Sequence, residues 1–358
     1  MEVLVLNTSF ESVGIIDEYE SLIWTDRYQE CGDFELTLPV DRKYLSILQE
    51  DYYLWTKESE HCMIIEDIAV DSDLEEGNRF IVTGRSLESI IDRRIIWGQE
   101  IFRGNLQEAV HDMLIDHIMQ PIIEDRQISN FIFLASEDTR ITNLEIDEQY
   151  FGDSLYDIVK NLCEKNRIGF KITLNNSNQF VFSLYVGEDR SYDQVRNPYV
   201  VFSPKFENII NSNYFESKAK YKNVALVAGE GEGSERKTAV VGTGIGLQRR
   251  ELFTDARDVS SKTDSGTLSN AEYMAQLEAK GEKELAKNTV STAFEGEVDA
   301  THLFKYGEDF FIGDIVQIAN EYGHEGVAFI SELVISQDKD GLSIYPTFKT
   351  ITEEVEDE

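Results

Sequence analysis

The chain has 358 residues, 41% hydrophobic and 11% aromatic, with 33 Lys and Arg against 68 Asp and Glu for a formal charge of −35. That is enough chain for about two or three folded domains with ordinary cores. The charge excludes a holder of nucleic acid, because grip on a phosphate backbone comes from Lys and Arg displacing counterions, and no apolar run approaches the roughly 20 residues that span a bilayer. Cys31, Cys62 and Cys163 are odd in number and far apart, which argues against a disulfide framework or a structural zinc site and predicts free thiols. The opening run Met1 to Leu6 lacks the basic flank and apolar length of a signal peptide, so synthesis in the cytoplasm is expected.

The first predicted elements are two paired strands. Leu22, Trp24 and Asp26 alternate with Ile23, Thr25 and Arg27, and after a turn Phe34, Leu36 and Leu38 share a face opposite Glu35 and Thr37. Gly32 is expected to supply a positive φ in the turn, and Pro39 removes a ladder donor where the second strand stops. Tyr52 to Thr56, Cys62 to Val70 and Arg79 to Gly84 read as further strands, the last two joined by the acidic turn 71–78. Residues 1–95 are therefore expected to form a first β-barrel domain, closed by a short helix that Ser86 caps.

Residues 96–205 read as a mixed α/β middle domain. Asn105 caps a helix carrying Leu106, Val110, Met113, Leu114, Ile115 and Ile118 on one broad face and ending before Pro121. Asp153 or Ser154 caps another, with Leu155, Ile158, Val159 and Leu162 inward. Gly169 to Leu174 and Phe180 to Tyr185 pair as a hairpin through the Asn/Ser cluster 175–178. Strand patterns resume over 206–254 and again over 289–350, as if one discontinuous second barrel were interrupted by an insertion at 255–288, whose portion 270–285 is helical by propensity. That helix is expected to lie across its own sheet in preference to meeting a neighbouring chain. The tail 351–358 is too acidic to pack.

Chemistry-bearing motifs are sparse. His111 and His117 share a helix at a spacing that turns them to different faces, and His61, His302 and His324 form no cluster of ligand spacing. Asp71, Asp73, Glu75 and Gly77 are calcium-loop-like, but the Gly falls one place late and Val82 stands where the closing bidentate Glu belongs, so a hairpin turn is the better reading. Gly242 to Gly246 has neither the Lys-Ser/Thr of a phosphate loop nor a dinucleotide-site context, and Gly229 to Gly233 carries carboxylates that would repel a phosphate. There is no Gly-x-Ser-x-Gly elbow. No catalytic residue, cofactor or metal is predicted.

A pattern of Trp24, Arg27-Tyr28, Gly32 and Phe34-Glu35-Leu36, followed by Gly84-Arg85-Ser86-Leu87 and Asp92-Arg93-Arg94, resembles the siphoviral Gp37-like family of tail-hub proteins from long-tailed bacteriophages. The resemblance continues through Phe202-Ser203-Pro204 with Phe206 to Ile209, Lys222-Asn223-Val224 leading to Gly229 and Gly231, and Ile312-Gly313-Asp314-Ile315-Val316, in the family's order over most of the chain. It implies an α+β, mainly β fold of two similar small β-barrels plus a middle domain, like that of myophage central hub proteins. It further implies a non-enzymatic homotrimer forming a pseudo-sixfold ring at the virion tail tip, between the distal tail protein, tail tube and tape measure proteins on one side and a tip fibre or spike on the other. DNA would pass such a ring without binding, and a trimer at three times −35, or −105, offers an acidic lumen or simply solubility. With the chain stopping at 358, no following lytic or fibre domain is expected, and a hinge is expected near Asn197-Pro198. The alternatives are a receptor- or glycan-binding tip protein, suggested by 16 Tyr and 20 Phe, and a cell-wall hydrolase, which 68 acidic residues leave open.

Overall fold

The computed structural model of the chain describes residues 1–73, 77–257, 259–263, 266–298, 303–320, 322 and 325–350. They divide into two compact units, one from Met1–Ser212 with Glu295–Ile351 and the other from Asn213–Phe294. Strands predominate, with a smaller helical share. In chain order the first unit holds β1 (Val3–Leu6), β2 (Ser12–Ile16), β3 (Ser21–Arg27), β4 (Asp33–Pro39), α1 (Arg42–Ile47), β5 (Tyr53–Trp55), β6 (Met63–Asp73) and β7 (Gly77–Ser86). It continues with β8 (Gln99–Asn105), α2 (Leu106–Leu114), β9 (Phe131–Leu134), α3 (Thr139–Thr142), β10 (Glu145–Phe151), α4 (Leu155–Asn166), β11 (Gly169–Leu174), β12 (Phe180–Tyr185) and β13 (Val201–Phe202). After β14 (Ile209–Ser217) come β15 (Val224–Ala228), β16 (Thr238–Gly242), β17 (Glu251–Asp255), β18 (Lys262–Thr263), β19 (Gly266–Thr267), α5 (Asn270–Ala286) and β20 (Ser291–Val298). The chain re-enters the first unit for β21 (Ile315–Ala319), β22 (Glu325–Asp338) and β23 (Gly341–Thr350).

Eleven strands of the first unit make one sheet in the order β13-β21-β22-β3-β4-β7-β6-β5-β1-β2, with β23 on β22. The expected first hairpin is present in the register Leu22↔Leu36 and Trp24↔Phe34, and the expected faces hold, with Leu22, Trp24, Asp26, Phe34, Leu36 and Leu38 all buried. The expected grouping of later strands differs. β15, β16 and β17 pair among themselves in the second unit, whereas β22 joins β3 in the register Ile335↔Trp24 and Glu332↔Arg27. Period-two alternation tells which face of a strand is buried but not which strand it will meet; β22 buries Ile330, Leu333 and Ile335 in the core, as β3 does Leu22 and Trp24. No closed barrel is found among the described residues, since the path ends at β13 and β2.

Several local expectations change for steric reasons. Gly32 is not among the positive-φ glycines; a Cβ there would sit 2.3 Å from the Thr25 carbonyl oxygen, so close approach requires the glycine. Ser86 precedes a 3-10 turn over Leu87–Arg93 but makes no cap bond, because its Oγ accepts from the Gly32 N–H at 2.7 Å. The ladder of β6 and β7 runs to Asp73↔Gly77, so the turn is shorter than 71–78; Glu75 lies outside the described residues. β1, β2 and α1 have no counterpart among the predicted elements. The Asn197-Pro198 segment is fastened, with Asn197 donating to the Asp189 carbonyl at 2.9 Å and Gln194 bonded to the Asn197 carbonyl at 3.1 Å.

The middle region follows its sequence closely. Asn105 caps α2 by accepting from the Glu108 N–H, Ser154 caps α4 by accepting from Asp157 N–H, and β11 pairs with β12 from Gly169↔Tyr185 to Leu174↔Phe180. Leu106, Val110, Met113, Leu155, Ile158, Val159, Phe170 and Phe182 meet in one apolar cluster. In the second unit α5 covers β15 and β16 through Tyr273 and Leu277, and a Cβ on Gly281 would meet Val227 at 2.6 Å. A mid-helix glycine costs about 1 kcal/mol in propensity; here it lets helix and sheet close.

Candidate functional site

Tyr28 and Gly313 of the family-like pattern meet at a joint inside the first unit, where the end of β3 meets both the middle region and the C-terminal strands. Tyr28, at the end of β3, is its centre. Its ring lies edge-on to Tyr185 at 5.2 Å and tilted against Phe329 at 5.8 Å. A Cβ on Gly169 would fall 2.3 Å from that ring and one on Gly313 2.4 Å, so two glycines from distant segments make the slot. Gly313 also has φ +90, which favours glycine independently. The Tyr28 N–H donates to Ser331 O at 3.0 Å and its carbonyl accepts from Phe170 N–H at 3.2 Å, tying three segments to one residue. Burial raises the phenol's pKa well above its ordinary value, so it stays neutral.

Asp314 clamps the next turn. Its Oδ1 accepts from Glu188 N–H at 2.7 Å, and its Oδ2 accepts from Arg190 Nε at 2.7 Å and Phe311 N–H at 3.0 Å. Both charges are nearly removed from water, at 13% and 3% side-chain exposure. Arg27 makes a similar knot on the sheet, donating to Asp33 at 2.5 Å, Glu332 at 2.6 Å and the Cys31 carbonyl at 2.9 Å. Gly84 accommodates the bulge opposite it in β6, since a Cβ there would stand 1.9 Å from Ile64 O. Leu87 is fully buried, while Arg93 is exposed and reaches Asp51 at 3.4 Å. Gly229 and Gly231 belong to the second unit; Gly229 lies under the Tyr273 hydroxyl and Gly231 takes φ +104 in a turn.

One buried polar group escaped the sequence reading. His61, Glu88 and Asp26 are each less than 5% exposed and stand together although 35 and 27 residues separate His61 from Asp26 and from Glu88. His61 Nδ1 and Glu88 Oε1 are 3.1 Å apart, Glu88 Oε1 also accepts Ile172 N–H at 2.7 Å, and Asp26 accepts from Ser59 Oγ at 2.7 Å and Trp24 Nε1 at 3.1 Å. Burial alone would lower the His61 pKa, but the carboxylates of Glu88 and Asp26 outweigh it and raise it to about 9. Burial raises Asp26, whereas in Glu88 the His61 charge prevails over burial and lowers it. The only sequence signal is Asp26 on an otherwise apolar face.

A cleft of about 230 Å³ opens beside this group, lined among others by Glu60, His61, Lys171, Glu188 and Asp314. Each carboxylate there is held by a cation: Glu60 by Lys171 at 2.5 Å, Glu188 by Arg140 at 3.3 Å and Asp314 by Arg190. Such carboxylates brace a wall and are poor general bases. His111 stacks on Phe133 at 4.5 Å, and His117 sits 3.1 Å from Glu100, apart from it; His302 and His324 lie outside the described residues. No group of three or more metal-ligating side chains occurs among the described residues, and no described helix is long and apolar enough to cross a membrane. The three cysteines are free and buried.

The same fold occurs in solved structures. A 43 kDa tail protein of prophage MuSo2 from Shewanella oneidensis is 13% identical, with 98% of each chain covered and a TM-score of 0.61. A tail protein from Neisseria meningitidis MC58 is 12% identical over 97% of this chain and 95% of that one, with a TM-score of 0.59. Prophage tail protein gp18 from Listeria monocytogenes EGD-e is 12% identical over 99% and 95%, with a TM-score of 0.55. Among curated proteins nothing matches the sequence. The family model of the Siphovirus ReqiPepy6 Gp37-like protein matches residues 2–348, from the first strand through β23, and the chain belongs to that family.

Proposed function

We propose that this chain is a structural subunit of a phage tail, acting as a hub at the tail tip. The observation that carries the reading is family membership over residues 2–348. A fold shared over nearly the whole length with three tail proteins supports it. In this reading three copies close a pseudo-sixfold ring, each giving two barrel-like portions. The ring would join the distal tail protein, tail tube and tape measure proteins to a tip fibre or spike, in a particle assembled in the host cytoplasm. Its chemistry is mechanical. Subunit contacts bury apolar surface, and carboxylates facing a lumen keep passing DNA from sticking.

Light scattering on the purified chain at low and high salt tests the reading. A mass of three times 41.0 kDa, favoured by salt because −35 per chain opposes association at low ionic strength, supports the ring; a monomer at both salts counts against a self-assembling hub. Exposed Trp97 and Phe151, at 65% and 72%, favour receptor or glycan binding as the second reading. Sugar binding that disappears in Trp97→Ala would establish it.

A further inference from the structure

Arg93 and Arg94 belong to the family-like pattern yet take no part in the joint. Arg94 donates through Nε and Nη2 to the Arg126 carbonyl at 3.2 and 2.9 Å and through Nη1 to the Arg93 carbonyl at 2.8 Å. Arg126 donates to the Ile95 carbonyl at 2.8 Å and stacks on Trp97 at 5.1 Å. Among the described residues neither Arg94 nor Arg126 pairs with a carboxylate, although the chain has 68 acids for 33 bases. Among the described residues Arg93 pairs with Asp51 alone, at 3.4 Å, with side chains 47% and 67% exposed, an arrangement worth little in water. Burial, then the charges of Arg126 and Arg93, lower the Arg94 pKa, so the three guanidiniums concentrate positive potential on one spot of a strongly acidic chain.

Beside them lies a cleft of about 310 Å³, with Tyr53, Ile64, Ile90 and Phe180 on its walls and Arg93 and Arg94 on its lining. A guanidinium has five N–H donors and Arg94 spends three on carbonyls, leaving two for a ligand oxygen. We propose that this cleft is a docking site for a short carboxylate-rich peptide segment of a partner chain, seating one apolar side chain against the half-buried Tyr53 and Ile128 and its flanking carboxylates on Arg93 and Arg94. A nucleic acid fits worse, because a long polyanion would lay most of its phosphates over surface carrying the rest of the −35 charge, whereas a short segment meets only the cleft. Asp51 is the internal competitor that a ligand carboxylate displaces.

The test uses the full chain and a fluorescent peptide with the acidic sequence of residues 351–358, followed by anisotropy at physiological salt, with a second peptide in which its five acids are amides. The acidic peptide should bind, the amide peptide at least about tenfold more weakly. Arg93→Gln should weaken binding by about tenfold, and Asp51→Asn should tighten it severalfold. Both side chains are exposed, and unchanged urea unfolding verifies that the variants fold. Equal binding of the two peptides, no binding up to millimolar peptide, indifference to both substitutions, or displacement of the peptide by an equal concentration of DNA would each overturn the proposal.

Discussion

Removing the charges of His61 and Glu88 together should flatten the alkaline limb of the stability profile. The His61 pKa is about 9 in the folded chain against an ordinary 6.5, so the folded state binds its proton more tightly. The stability this contributes is complete below pH 6.5 and is lost as pH rises through 9. At 1.36 kcal/mol per unit, the gap corresponds to about 3 kcal/mol, with a slope approaching about 1.4 kcal/mol per pH unit in the middle of the window. Urea unfolding followed by tryptophan fluorescence is the assay, and Trp24, Trp55 and Trp97 all lie in the first unit, so it reports that unit alone. The double variant His61→Gln/Glu88→Gln keeps amides at both positions and avoids leaving Glu88 charged and buried without its partner, which would cost about 3–5 kcal/mol; Asp26 keeps its hydrogen bonds from Ser59 and Trp24. Titration of groups outside the cluster cancels in the difference between the two proteins, and Asp26, which the His61 charge lowers, is the one coupled group that remains. Wild type should lose about 3 kcal/mol relative to the double variant between pH 6.5 and 9. Parallel profiles would refute the account of a buried imidazolium.

Gly84→Ala places a methyl within bonding distance of the Ile64 carbonyl, where no rotamer relieves it, so destabilisation above about 4 kcal/mol is expected in the same assay. Asp314→Asn leaves the Arg190 guanidinium nearly buried without its counter-charge and should cost about 3 kcal/mol; a loss below about 1 kcal/mol would mean that the clamp is incidental. Burial pushes the Cys31 thiol up to about 12 and those of Cys62 and Cys163 higher still, so all three should resist a thiol reagent at pH 8 and react only as the first unit unfolds, followed by mass spectrometry.

What the sequence made legible was local. The β3–β4 hairpin, the Asn105 and Ser154 caps and the β11–β12 turn depend on neighbours within a few residues, and side-chain chemistry there names its own geometry. Sheet partnership did not show, because β3 could have closed against any strand presenting Ile or Leu at alternate positions. Gly32 was right in identity and wrong in cause; a glycine that makes room for a distant carbonyl looks the same in sequence as one that bends a turn. The His61, Glu88 and Asp26 group was invisible for a related reason, since its members lie on separate segments and only the fold brings them within reach of one another.

The pairing of β3 with β22 also sets a schedule for synthesis. Arg27 must find Glu332, 305 residues later, in the interior of the sheet and not at its margin. At about 5–20 residues per second the ribosome takes roughly 15–60 s to deliver that partner. During that interval the exposed backbone edge of β3 is open to strands of other nascent chains on the same message. Yield in the cell should therefore depend on the spacing of ribosomes along the message and on chaperones that shield strand edges, more than on the final stability of the folded protein.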